Sequence, residues 1–163
     1  MQVLTELRSL TPERFHAIYV SLENKGFGPL DGEVAKSLRF RPQGVRKLPI
    51  EQRARRAKAL LETTRNTELA YELFGAYLLK TRKDLVTGFL DATGVAHENG
   101  MIEDVERAQP DRAKIADAVA DLDAKHPAED VTLYLAMCAQ QWPKVAELDA
   151  LWKQRHGAAT GAR

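Results

Sequence analysis

Cysteine is almost absent from this chain. Cys138 is the single one among 163 residues. No intrachain disulfide can form, and a Cys-rich metal site is excluded. A reducing compartment is the simplest reading. Long apolar runs are also missing. No stretch approaches the roughly 18 residues needed to span a bilayer, so no membrane partner is expected. The opening Met1-Gln-Val-Leu-Thr-Glu-Leu-Arg8 carries an acid and no apolar core, so it does not read as a secretory signal. A cytoplasmic location is the expectation. No segment alternates apolar and polar residues between turn clusters, which argues against strands. Gly-x-Gly-x-x-Gly and Gly-x-x-x-x-Gly-Lys-Ser/Thr are both absent, which argues against a nucleotide phosphate loop. No zinc finger, RNA-recognition motif or Gly-x-x-Gly clamp is found.

What is present is helix. Apolar residues make up 44% and charged residues 29%, a globular balance. Thr11-Pro12-Glu13 is a helix start, and Phe15, Ile18, Tyr19 and Leu22 follow at helical spacing. Gly26, Gly28 and Pro29 end that helix. A short helix is expected through Val34, Ala35 and Leu38. Residues 39–49 read as irregular, because Pro42, Gly44 and Pro49 interrupt them. From Ile50 the period returns with Ala54, Ala57 and Leu61. Leu69–Leu79 is apolar nearly all round, as a central helix is. Asp84 reads as the cap of a helix through Leu85, Val86, Phe89 and Leu90 that stops at Gly94. Gln109-Pro110-Asp111 opens another through Ile115, Ala118, Val119 and Leu122. Val131–Ala139 is again apolar all round. Trp142-Pro143 opens the last helix, with Val145, Leu148, Leu151 and Trp152 as its stripe.

The fold expectation is therefore all-α: about seven or eight helices packed as consecutive antiparallel αα-hairpins, a helical bundle or short HEAT-like array. One domain is expected over residues 1–156, with a flexible tail at 157–163. A faint repeat runs through the second half at an offset of 45 residues. Ala70, Phe74, Tyr77, Lys80, Val86, Thr87, Phe89 and Leu90 map onto Ile115, Val119, Leu122, Lys125, Val131, Thr132, Tyr134 and Leu135. That period lies in the HEAT and armadillo range, but any two helical hairpins share much of the spacing.

Charge is distributed unevenly although the net is +1. Residues 1–82 hold 15 basic and 9 acidic side chains, whereas 83–163 hold 9 basic and 14 acidic. Local charge, not net charge, attracts a polyanion or an acidic partner. Within segment 36–58 the basic residues are Lys36, Arg39, Arg41, Arg46, Lys47, Arg53, Arg55, Arg56 and Lys58, against a lone acid, Glu51. Guanidinium is a planar fork of donors that stays charged, suited to carboxylate and phosphate alike. Phe40 lies between Arg39 and Arg41, where a ring can stack on a base. The bland reading is a solvated or internally paired face, with Lys58 and Glu62 spaced for an i, i+4 pair or the whole segment docked on the acidic half.

A second segment crowds Asp91, His97, Glu98, Glu103 and Asp104 into 91–104. These are ligand and acid–base types. Their spacing fits neither His-Glu-x-x-His nor an EF-hand, and Asn99-Gly100 is a turn dipeptide. His16, His126 and His156 are scattered. Cys138 lies in an apolar helix and reads as a small core residue.

The leading expectation is a non-enzymatic helical adaptor that binds an acidic protein partner. Arg39, Arg41, Arg46, Lys47, Arg53, Arg55, Arg56 and Lys58 are its candidate contact residues. Two alternatives stand beside it: binding to an RNA or DNA backbone through 36–58, and a small metal-dependent hydrolase at 91–104. No cofactor, resident metal or catalytic residue is assigned.

Overall fold

Ten helices form among the described residues of the computed structural model, which describes residues 1–25, 28, 30–63 and 67–161. They are α1 (Gln2–Ser9), α2 (Pro12–Asn24), α3 (Asp31–Leu38), α4 (Pro42–Arg46), α5 (Ile50–Thr63), α6 (Glu68–Thr81), α7 (Lys83–Ala92), α8 (Arg112–Lys125), α9 (Ala128–Gln141) and α10 (Ala146–Gly161). The sole β feature among these residues is an isolated bridge between Glu98 and Met101. No helix among them is long and apolar enough to cross a membrane.

The expected starts hold where cap chemistry is explicit. The Thr11 hydroxyl accepts from the Arg14 N–H at 3.2 Å, with Pro12 in the first turn of α2. Asp111 accepts from the Ala113 N–H at 3.1 Å and starts α8. Of the breakers assigned to the end of α2, Gly26 and Pro29 lie outside the described residues. Two helices exceed the expected count. α1 has no side-chain cap, but Val3, Leu4 and Leu7 bury one face against α9, α6 and α5. α4 occupies the stretch expected to be irregular. Pro42 does not break it, because proline at the first helical position has no N–H to lose. Three boundaries also move. α7 begins at Lys83, so Asp84 sits in its first turn rather than at the cap. Trp142 is the C-cap of α9, so α10 begins at Ala146 rather than at Trp142-Pro143. α10 continues through Gly157 to Gly161, so residues 157–161 are helical, although exposed.

One contiguous core runs from Val3 to Trp152. α6 sits at its centre, touching α1, α2, α7 and α9. α9 buries Val131 and every residue from Leu133 to Ala139, since α1, α6, α8 and α10 surround it. Burial there pushes the Cys138 thiol up to about 12, so it stays protonated as a core side chain. α6–α7 and α8–α9 are two packed hairpins. All twelve apolar residues matched at the 45-residue offset are buried. The matched aromatics Phe89 and Tyr134 meet edge to face, 5.5 Å between centroids at 82°.

Candidate functional site

The 36–58 segment comprises the last three residues of α3, all of α4 and the first nine residues of α5. α3 ends on Arg39 in the left-handed region, φ 56°. The Arg39 N–H reaches the Lys36 carbonyl at 3.2 Å, and the Phe40 N–H reaches back to Ala35 at 2.8 Å. That closure is usually made by glycine. Here it turns the chain so that Phe40 is left 53% exposed between two arginines.

The eight candidate cations divide into two groups. Arg53 is held inside: its guanidinium pairs with Glu23, and its Nε donates to the Leu48 carbonyl at 3.1 Å. Lys58 pairs with Glu62 one turn on, as its spacing predicts. Arg46 remains largely exposed while its Nε approaches Asp31 Oδ2 at 3.4 Å. Arg39, Arg41, Lys47, Arg55 and Arg56 are exposed, as is Lys36, and none makes an ion pair with a described residue. Arg55 lines the groove between α2 and α5, and Arg56 follows about 100° further round the helix. The internal partners Glu23, Asp31 and Glu62 all belong to the basic half. Among the described residues no ion pair ties 36–58 to the acidic half.

Asp91 and His97 come together, but the remaining acids of 91–104 do not join them. His97 Nε2 lies 2.7 Å from Asp91 Oδ1, and its Nδ1 accepts the Gly100 N–H at 3.0 Å. With Nδ1 accepting, the ring proton sits on Nε2 and is donated to Asp91. Both ring nitrogens are thus engaged. The turn they hold has positive φ at Asn99 (53°) and Gly100 (89°), with paired Glu98–Met101 backbone bonds of 2.8 and 2.9 Å. That is the two-residue reversal Asn-Gly favours. Glu98, Glu103 and Asp104 face solvent, and Asp104 accepts the Glu106 and Arg107 N–H groups. Among the described residues no three His, Cys, Asp or Glu side chains converge as metal ligands. His97→Ala should cost about 1–2 kcal/mol of stability through the two lost hydrogen bonds, read by urea denaturation. A cost near zero would mean that the turn holds without its clamp.

Two buried polar clusters have no counterpart in the sequence reading. Asp130, 1% exposed, accepts from Arg14, from the Tyr77 hydroxyl at 3.0 Å and from Arg82 Nε at 2.8 Å. The Arg14 guanidinium also lies over the Tyr77 ring, 5.7 Å from its centroid. The hydrogen bond to Asp130 holds the Arg82 guanidinium further above its ordinary value, and burial pushes the Tyr77 phenol up. Here α2, α6 and the start of α9 are joined, and the basic and acidic halves with them. The other cluster is Glu6 on α1, which accepts from Trp152 Nε1 at 2.6 Å and lies 2.8 Å from His156 Nδ1 on α10. The sequence signal for Asp130 is an acid set directly against a run that is apolar but for Thr132. For Glu6 there is none, since its partners lie about 150 residues away.

No family model, curated protein or solved structure matches this chain.

Proposed function

We propose that this chain is a non-enzymatic interaction module whose basic α3–α5 face holds an acidic protein segment. The observation that carries this is a set of six exposed cations, Lys36, Arg39, Arg41, Lys47, Arg55 and Arg56, that make no ion pair with a described residue, two of them flanking the exposed ring of Phe40 in the chain. Cations beside an aromatic anchor suit a segment that alternates acids with apolar side chains, since the ring supplies contact area and the arginines orient carboxylates. A short acidic segment meets only this local field. A long polyanion also meets the acidic half, which opposes it at low salt, where screening is weak.

The test uses anisotropy with a labelled peptide of alternating Glu and Leu, and a labelled single-stranded oligonucleotide for comparison. The peptide should bind the intact chain and lose at least about tenfold in affinity, about 1.4 kcal/mol, on joint Arg39→Glu and Arg41→Glu substitution. Phe40→Ala should weaken it as well, while circular dichroism stays unchanged. Two results would overturn the reading: no peptide binding, or tighter oligonucleotide binding that falls steeply between about 50 and 200 mM salt.

A further inference from the structure

Gly100 and the two residues after it form one wall of a cavity of about 260 Å³ between α6, α7 and α9. It is a half-open cleft at the edge of the core rather than an enclosed void. Its lining is chiefly leucine, valine, isoleucine and methionine, with no charged side chain. Two glycines line it and let its walls approach closely. A Cβ at Gly75 would stand 3.4 Å from the Met137 methyl, and one at Gly100 would stand 2.8 Å from Leu79. Two methionines border it, Met137 within and Met101 on the wall, 62% exposed. Methionine adapts its shape to varied apolar surfaces.

One polar pair faces this space. The Tyr71 hydroxyl donates to Gln141 Oε1 at 2.9 Å. The Tyr71 oxygen keeps a lone pair, and the Gln141 amide N–H groups bond no described residue. Burial pushes the Tyr71 phenol up to about 12 and raises Tyr134 well above its ordinary range. Surroundings that disfavour a phenolate also disfavour a charged guest. A mostly apolar pocket with a small convergent polar group is the usual form of a small-molecule site.

We propose that this cavity binds a small neutral apolar molecule carrying one hydroxyl or carbonyl group, with its carbon skeleton between Met137 and the Gly100 wall and its oxygen at the Tyr71–Gln141 pair. The His97–Asp91 clamp then serves to fix that wall. This role is independent of the basic face, and its test is independent too.

The full chain, labelled at its methionine methyl groups, is titrated with 1-naphthol, naphthalene and 1-naphthoate and followed by NMR. The three methionines divide cleanly: Met137 and Met101 border the cavity, and Met1 does not. Naphthol should shift Met137 and Met101 saturably and leave Met1 unmoved. Naphthalene should bind about three- to tenfold more weakly, the range of one neutral hydrogen bond. Naphthoate should not bind. Tyr71→Phe should bring naphthol down to naphthalene, and Gly75→Leu should fill the space and abolish both. Absence of saturable shifts with naphthol would overturn the proposal. So would equal shifts at Met1, or undiminished binding by a folded Gly75→Leu chain. Should Gly75→Leu not fold, the naphthol-to-naphthalene ratio in Tyr71→Phe decides, and an unchanged ratio rejects the site.

Discussion

Replacing Asp130 by alanine should lower the unfolding free energy by about 3 kcal/mol, because it strands cations that the fold has partly desolvated. Asp130 is 1% exposed and receives two guanidiniums and a phenol. Removing it leaves Arg14, whose side chain is 23% exposed, with the solvated carboxylate of Glu129 and the Tyr77 hydroxyl at 3.3 Å as its remaining partners. Arg82 keeps more water, at 38% exposure, which places the cost at the low end of the range for broken buried pairs. Tyr77→Phe removes a neutral hydroxyl that donates to Asp130 and accepts from Arg14 at 3.3 Å, and should cost only about 1 kcal/mol. The comparison separates charge from hydrogen bonding. Urea denaturation of the three proteins reads both values, and equal losses would show that the carboxylate's charge contributes nothing. The loss should also persist at high salt, since a buried pair is screened far less than a surface one.

Local rules carried the reading of the fold as far as they reach. Thr11 and Asp111 cap helices within three residues, so their starts are legible. α1 is not, because its stability comes from burying Val3, Leu4 and Leu7 on α9, a contact between the two ends of the sequence. α4 was hidden for a different reason: Pro42 and Gly44 together look like a break, yet a five-residue helix needs nothing that a first-position proline lacks. At the basic face, the Lys58–Glu62 pair follows from i, i+4 spacing, whereas Arg53–Glu23 spans 30 residues and depends on α2 lying along α5. Charge counting therefore overstated the free cations by treating Arg53 and Lys58 like Arg55 and Arg56. At 91–104 the Asn-Gly turn was readable. That its glycine closes over Leu79 and Val86 to wall a cavity was not, because α6 and α7 meet that turn only in three dimensions.

Two phenylalanines show how far position outweighs identity. Phe89→Ala should cost about 4 kcal/mol, because a wholly buried ring leaves both its transfer energy and a cavity behind. It also loses the edge-to-face contact with Tyr134, its counterpart in the other hairpin. For a chain of this length the melting temperature should fall by roughly 8–16 °C. Phe40→Ala should stay within about 0.5 kcal/mol of the parent, since its ring already faces water. Thermal and urea melts of the two variants test the contrast, with an unchanged urea m-value indicating that native packing rather than the unfolded chain was altered. A large loss at Phe40 would mean that the ring supports the fold, and the aromatic anchor proposed for the basic face would lose its footing. A small loss there, with weakened peptide binding, assigns Phe40 to the partner and Phe89 to the core.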